Sequence, residues 1–212
     1  MTDLNPYRGR YPVLRSRRVV WEEVARWVSA RVGPVTDVLE LGAGYCDFVN
    51  AYPAERRMAF DMNPEMAGCA DEGVEFRCLD VTREWPVPLR SLDLVFASNF
   101  LEHLTVEDGR RLLERVYASL RPGGRLALLQ PNFRLCPAHY FDDETHVAVY
   151  SDDGLAQALL DAGFFVERVE PGLLPFSMKS RLPKWRLLVR AYLSSPVKPA
   201  GAQMFLMGRR RS

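Results

Sequence analysis

No stretch of this 212-residue chain approaches the ~18 consecutive apolar residues of a membrane-crossing helix. The N-terminus also lacks the apolar core of a secretory leader, so a cytoplasmic protein is expected. Cysteine is scarce: Cys46, Cys69, Cys78 and Cys136 show no Cys-x-x-Cys spacing, and each is expected as a free thiol in a reducing compartment. The three histidines stand far from these cysteines in sequence, and His139, Asp142, Asp143 and His146 fit no recognised ligand spacing. No metal is therefore expected. No internal repeat appears, and from residue 171 to the C-terminus there is no acidic residue at all.

That last absence makes the net charge of +1 misleading. Residues 171–212 carry nine Lys and Arg, residues 1–33 carry seven Arg against three acids, and the middle is left with −12. Such segregation speaks of partners: the basic end would suit an anionic or lipid-linked acceptor or a membrane surface, or would form a solvated rim. Apolar residues at 48% and charged residues at 26% are those of an ordinary globular protein, and the length fits one domain.

The chain is organised around residues 36–61. Val38-Leu39-Glu40-Leu41 reads as an apolar strand broken by one carboxylate, and Gly42-Ala43-Gly44 follows at once. Met58-Ala59-Phe60 makes a second strand that stops at Asp61, with Met62 beside it. Glycines in such a turn let a ligand approach the backbone, and an acid ending the next strand can meet the two hydroxyls of a ribose. A dinucleotide turn needs a third glycine so that the helix N-terminus faces a pyrophosphate. That position holds Asp47, whose carboxylate disfavours NAD and favours a nucleoside without phosphates, of which S-adenosylmethionine is the common example. Glu40 is placed to face its cationic tail.

At these residues the sequence resembles the class I S-adenosylmethionine-dependent methyltransferases. Glu40-Leu41-Gly42-Ala43-Gly44-Tyr45-Cys46 matches their first motif, Glu/Asp-x-Gly-x-Gly-x-Gly, except at Cys46. Leu120 to Gly124 matches their Leu-x-Pro-Gly-Gly turn in full, and the resemblance covers about residues 36–170. It implies that Asp80 meets the adenine amino group and that Val81 gives the ring a backbone contact. It also implies a last strand, Met204 to Gly208, that runs antiparallel.

Elsewhere the pattern alternates. Ser16 to Val32 reads as an amphipathic helix, with short helices or helices at 63–71, Val106 to Leu120 and Ser151 to Ala162. Strands are expected at Val74 to Leu79, Leu92 to Ala97, Arg125 to Gln130 and Phe164 to Glu170. The expected fold is α/β: a Rossmann-like three-layer sandwich with a seven-stranded, mostly parallel sheet. The expected organisation is one domain, 1–212: an arm and helix (1–33), a cofactor-binding core (34–170), a basic insertion (171–202), and a last strand with a basic tail (203–212). The arm at 1–16 reads as a surface segment or as a lid. Within the insertion, Trp185, Leu188, Val189 and Tyr192 are expected to form one apolar helix face, with Lys184, Arg186 and Arg190 outside it.

Ligands of such sheets sit at the carboxyl ends of the strands. Glu40, Asp61, Asp80, Ser98 with Asn99, and Gln130 all fall at strand ends, so they are expected around one crevice. Methyl transfer needs positioning and, for a hydroxyl acceptor, a base. The three histidines are the candidates: His146 and His139 in the loop after the fifth strand, and His103 in Leu101-Glu102-His103-Leu104, which also suits fixing the cofactor pocket. The reading is O-methylation of a small-molecule, sugar-containing or glycolipid acceptor in a biosynthetic pathway. Nucleic acid is not expected, since no Asn/Asp-Pro-Pro-Phe/Tyr motif of base methylation appears. Two alternatives stay open: a non-catalytic nucleoside-binding or scaffold protein of the same fold, and a nicotinamide dehydrogenase.

Overall fold

Hydrophobic residues alternate with period two along the strands, and the computed structural model shows where each set goes. It describes residues 15–175 and 184–211. The proposed arm residues before Arg15, and residues 176–183 of the insertion, lie outside the described residues. Val38, Leu94, Phe96, Ala127, Leu129, Phe205 and Met207 face one core, while Leu39, Leu41, Val95, Ala97, Leu126, Leu128, Met204 and Leu206 face the other. Successive side chains of a strand point to opposite faces, so a sheet apolar on both must be covered on both.

Helices supply the two outer layers. α1 (Arg15–Val32), α2 (Asp47–Ala51) and α5 (Arg186–Ser194) cover the first face, through Val24, Val28, Phe48 and Leu193 among others. α3 (Val106–Ser119) and α4 (Asp152–Asp161) cover the second, through Leu112, Leu113, Val116, Leu155 and Leu159. Side-chain oxygens of Thr105 and Ser151 accept from the amides of Asp108 and Gly154, which caps and starts α3 and α4. The expected helix at 63–71 is a 3-10 turn, Pro64–Cys69, capped by Asn63.

The strands are β1 (Val35–Leu41), β2 (Ala54–Asp61), β3 (Val74–Cys78), β4 (Leu92–Ser98), β5 (Leu120–Pro131), β6 (Phe165–Pro175) and β7 (Gly201–Arg209). They form one seven-stranded sheet in the order β3-β2-β1-β4-β5-β7-β6. β1 to β5 run parallel and β7 pairs antiparallel to both β5 and β6, so β7 alone is reversed. The order turns back between β1 and β4, the place where sheets of this kind bind ligands outside the carboxyl ends of their strands.

Two expectations are corrected. β6 continues through Pro171 and Gly172 to Pro175, and β7 starts at Gly201, so both ends of the supposed insertion belong to the sheet. On α5 the face toward the core is Leu193 with Val189 and Tyr192 packed beside it, while Trp185 is 71% exposed. Arg186 and Arg190 lie outside that face, as expected, and from there pair with Glu22 and Glu23 of α1.

Candidate active site

β1 ends at Leu41, and the chain must turn sharply to enter α2. Gly42 (φ 59°) and Gly44 (φ 48°) take left-handed conformations that few side chains adopt. A Cβ on Gly42 would lie 2.4 Å from the Phe100 ring, whereas one on Gly44 would meet nothing within 4 Å. The turn is therefore walled on one side and open on the other. Cys46, at the third motif glycine, adopts the same left-handed conformation (φ 55°) and is buried.

Glu40 leaves β1 toward α2, where Oε2 accepts a hydrogen bond from the Val49 amide at 2.9 Å. It is 5% exposed. Burial pushes its carboxyl up to about 8; the Val49 amide and Arg17 oppose this, and Asp47 and Asp61 add to it. A carboxylate thus already occupies an N-terminal amide of a five-residue helix, where a phosphate would otherwise bind. Asp47 is ion-paired with Arg17 of α1, whose guanidinium also lies 5.3 Å from the Tyr45 ring centroid.

Asp61, at the end of β2, bridges two backbone amides: Oδ2 accepts from Gly44 at 2.8 Å and Oδ1 from Asn63 at 2.8 Å. Each carboxylate oxygen keeps further acceptor capacity for hydroxyls. Met62 beside it is exposed. Asp80 takes the Thr82 amide and hydroxyl on Oδ1, and Val81 is buried with its carbonyl accepting from Arg115. At the end of β4, the Asn99 side chain donates to Ser98 Oγ and accepts from Gln203 Nε2, each at 3.0 Å. Gln130, at the end of β5, is buried with Nε2 unpartnered.

The histidines separate. His139 is exposed, with Nδ1 3.0 Å from Asp142 Oδ2. His103 and His146 stand together, ring centroids 4.9 Å apart. His146 is buried, its Nδ1 2.5 Å from the Tyr140 carbonyl, and His103 Nδ1 lies 3.1 Å from the Thr145 carbonyl. Glu102 completes this group: it is fully buried, and burial pushes its carboxyl up to about 8. A cavity of about 380 Å³ lies elsewhere, among Arg56, Arg77, Pro86 and Arg121, and the glycine turn does not line it.

The residues present fit an unphosphorylated, cationic nucleoside. The open side of Gly44 would admit it, Asp61 would accept from a ribose and supply negative charge, and Glu40 would ionise beside a cation. A dinucleotide fits poorly, because Glu40 fills the phosphate position.

A family profile described as a methyltransferase domain matches residues 39–128. Over those residues the chain is similar to a methyltransferase domain. The chain is 29% identical over 133 residues to phosphoethanolamine N-methyltransferase 1 of Triticum aestivum, covering 54% of this chain and 27% of that one. It is 32% identical over 151 residues to trans-aconitate 2-methyltransferase of Variovorax paradoxus (strain S110), covering 66% and 54%. The chain thus spans between a quarter and about half the length of these curated relatives. The fold is shared with N-methyltransferase NodS from Bradyrhizobium japonicum WM9, solved in complex with S-adenosyl-L-homocysteine, at a TM-score of 0.68 and 15% identity, with 99% of this chain and 94% of that one covered. The match to a methyltransferase domain supports S-adenosylmethionine as the cofactor.

Sequence reasoning passed over Arg17, Phe100, Glu102 and Thr145. One signal was readable: a carboxylate at Glu102 inside the apolar run Phe100-Leu101-Glu102-His103-Leu104 calls for a partner. The other three declare themselves only through contacts between distant segments.

Proposed function

We propose that the chain uses S-adenosylmethionine to methylate a hydroxyl of a small-molecule or sugar-containing acceptor in a biosynthetic pathway. The observation that carries this reading is the pairing of Asp61 with the Gly44 amide and of Glu40 with the Val49 amide at one rim of the sheet. When bound, the cofactor supplies an electrophilic methyl group on a cationic sulfur. The chain's own part is to hold the acceptor oxygen in line and to keep water away, a positioning effect worth roughly 7–11 kcal/mol.

Oxygen is favoured over nitrogen by what lies beside the crevice. A hydroxyl must lose a proton to become a good nucleophile, and buried Glu102 with His103 and His146 forms a group suited to that work. A neutral amine needs no such help. The acid-free 171–212 stretch supports an anionic acceptor, and a glycolipid one would add peripheral contact with a membrane surface. Among the described residues no helix is long and apolar enough to cross a membrane. The four free cysteines support a reducing, cytoplasmic setting.

The test is transfer of isotopically labelled methyl from S-adenosylmethionine to metabolites of a cell extract, with the product bond assigned by NMR. An O–CH₃ product is the expected result. S-adenosylhomocysteine binding with no labelled product in any extract would favour the non-catalytic alternative, and an N–CH₃ product would overturn the choice of oxygen.

A further inference from the structure

We propose that Glu102, His103 and His146 form a binding site for a divalent first-row transition-metal cation, placed to hold the oxygen of the methyl acceptor. The three residues come from two segments, the turn after β4 and the loop after β5. Each offers a ligand atom within 4.8 Å of the others. The two segments are tied by main-chain bonds: the amides of Val147 and Ala148 donate to the Glu102 carbonyl at 2.8 and 3.1 Å. The group is therefore held by backbone and does not depend on a flexible side chain to gather it.

Glu102 supplies the independent reason to look for a ligand. It is completely buried, no side chain pairs with its carboxylate oxygens, and the nearby backbone amides of Glu102 itself and Phe100 do not reach good hydrogen-bond geometry with them. A buried carboxyl without good partners is unfavourable whether neutral or ionised, and buried carboxylates are usually paired or bound to a metal. A cation between Glu102 and the two imidazoles removes the imbalance at its source.

The histidines are also oriented as ligands. His146 Nδ1 faces the Tyr140 carbonyl and His103 Nδ1 faces both the Thr145 carbonyl and, at 2.9 Å, its hydroxyl. That hydroxyl donates onward to Asp143 Oδ1 at 2.5 Å, so it accepts from His103. Carbonyls only accept, which puts the proton on Nδ1 of both rings and leaves Nε2 as the lone-pair nitrogen. Metal-binding histidines are commonly fixed in this way. Asp143 Oδ2, 4.0 Å from His146 Nε2, adds negative charge at the margin.

Two imidazoles and one carboxylate suit Mn, Fe, Co, Ni or Zn, whereas Mg and Ca favour all-oxygen sets. Three protein ligands leave coordination positions open, and an acceptor hydroxyl can take one. The cation would lower the hydroxyl's pKa. The O–H bond would then break and the proton pass to solvent; the electron pair kept on oxygen would form the new bond to the methyl carbon as the sulfur–methyl bond of S-adenosylmethionine breaks, its pair returning to sulfur to leave S-adenosylhomocysteine. This role rests on the hydroxyl-acceptor reading above; the cation site itself does not.

The experiment titrates the metal-stripped, tag-free chain with Co(II) and follows the visible d–d bands. One Co(II) per chain is expected. Glu102→Gln and His146→Ala should abolish the bands, Thr145→Val should weaken binding by roughly 10-fold as an outer-shell change, and S-adenosylhomocysteine affinity should stay within a few-fold throughout. Glu102→Gln removes only charge, so it reports even where a histidine variant misfolds. No Co(II) binding by the wild type, or binding unchanged in Glu102→Gln, overturns the site. Co(II) bound with an N-methylated product leaves the site standing and overturns the acceptor reading, and O-methylation at full rate in excess chelator leaves the acceptor reading standing and overturns the cation's role in activating the hydroxyl.

Discussion

Arg190 of α5 donates from Nε and Nη2 to the two carboxylate oxygens of Glu23 of α1, at 2.9 and 3.0 Å. Glu23 is 1% exposed, so part of the basic C-terminal region serves to cover a buried acid and dock one helix on another. Arg186, paired with Glu22, extends the same seam.

Arg190→Ala should therefore unfold more easily than the wild type by about 1–3 kcal/mol, the usual penalty for stranding a buried charged acceptor. The Arg190 hydrogen bonds hold the Glu23 carboxyl below its ordinary value of 4.5. A depressed acid contributes stability above its unfolded pKa and loses it as pH falls through the folded one. The gap in melting temperature between wild type and variant should be full at pH 7 and narrow below about pH 4.5. A gap that is constant down to pH 3 would mean packing, and not the ion pair, holds α5.

Glu40 should behave in the opposite sense. Its folded pKa is raised to about 8, so the folded state is favoured below the unfolded value and loses that advantage as pH rises through 8. Thermal melts from pH 5 to 9 should fall more steeply for the wild type than for Glu40→Gln. A cationic ligand favours the ionised form, so S-adenosylmethionine should bind the wild type more tightly as pH rises toward 8, with a flatter profile in the variant. Parallel profiles in calorimetry would remove Glu40 from the cofactor's surroundings.

The two turn glycines make separable predictions. Gly42→Ala meets the Phe100 ring at 2.4 Å and keeps a left-handed φ, so it should lose about 1–3 kcal/mol of stability by overpacking and about 1–2 kcal/mol by backbone strain. Gly44→Ala has open space and should lose only the strain of about 1–2 kcal/mol, while placing a methyl group where a ligand would approach. Melting curves should single out Gly42→Ala, and S-adenosylhomocysteine titration of the still-folded Gly44→Ala should show weakened binding. Equal stability loss in both would contradict this account of the turn.

Much of the sheet was legible because its signal is local. The period-two runs at Val38–Leu41 and Leu92–Ala97, and the caps Thr105 and Ser151, act within a few residues. Pro171 and Gly172 misled the reading of β6, since both normally end a strand. β6 lies at the sheet edge, where a missing amide goes unnoticed and register shifts are tolerated. The face of α5 was misread because apolar residues surround so short a helix, and the choice of Leu193 is made by Glu23, 167 residues from Arg190. Strand ends announced Glu40 and Asp61. The meeting of Glu102 with His146 depends on the path of the 131–150 loop, which no periodicity reveals.

That loop path also separates histidines that the sequence leaves equal. His139 faces solvent and pairs with Asp142 across one turn, an exposed contact worth little. His146 is buried against His103, with the Tyr140 carbonyl fixing its ring. His139→Ala should keep turnover within a few-fold of wild type, while His146→Ala should lower it by roughly 10²–10⁴, the range of a lost proton-transfer or activating group. S-adenosylhomocysteine affinity, measured alongside, should be spared in both, because neither residue belongs to the glycine turn or to the end of β2. Loss of turnover in His139→Ala with His146→Ala fully active would mean the loop swings over in the working enzyme and brings the other histidine to the acceptor.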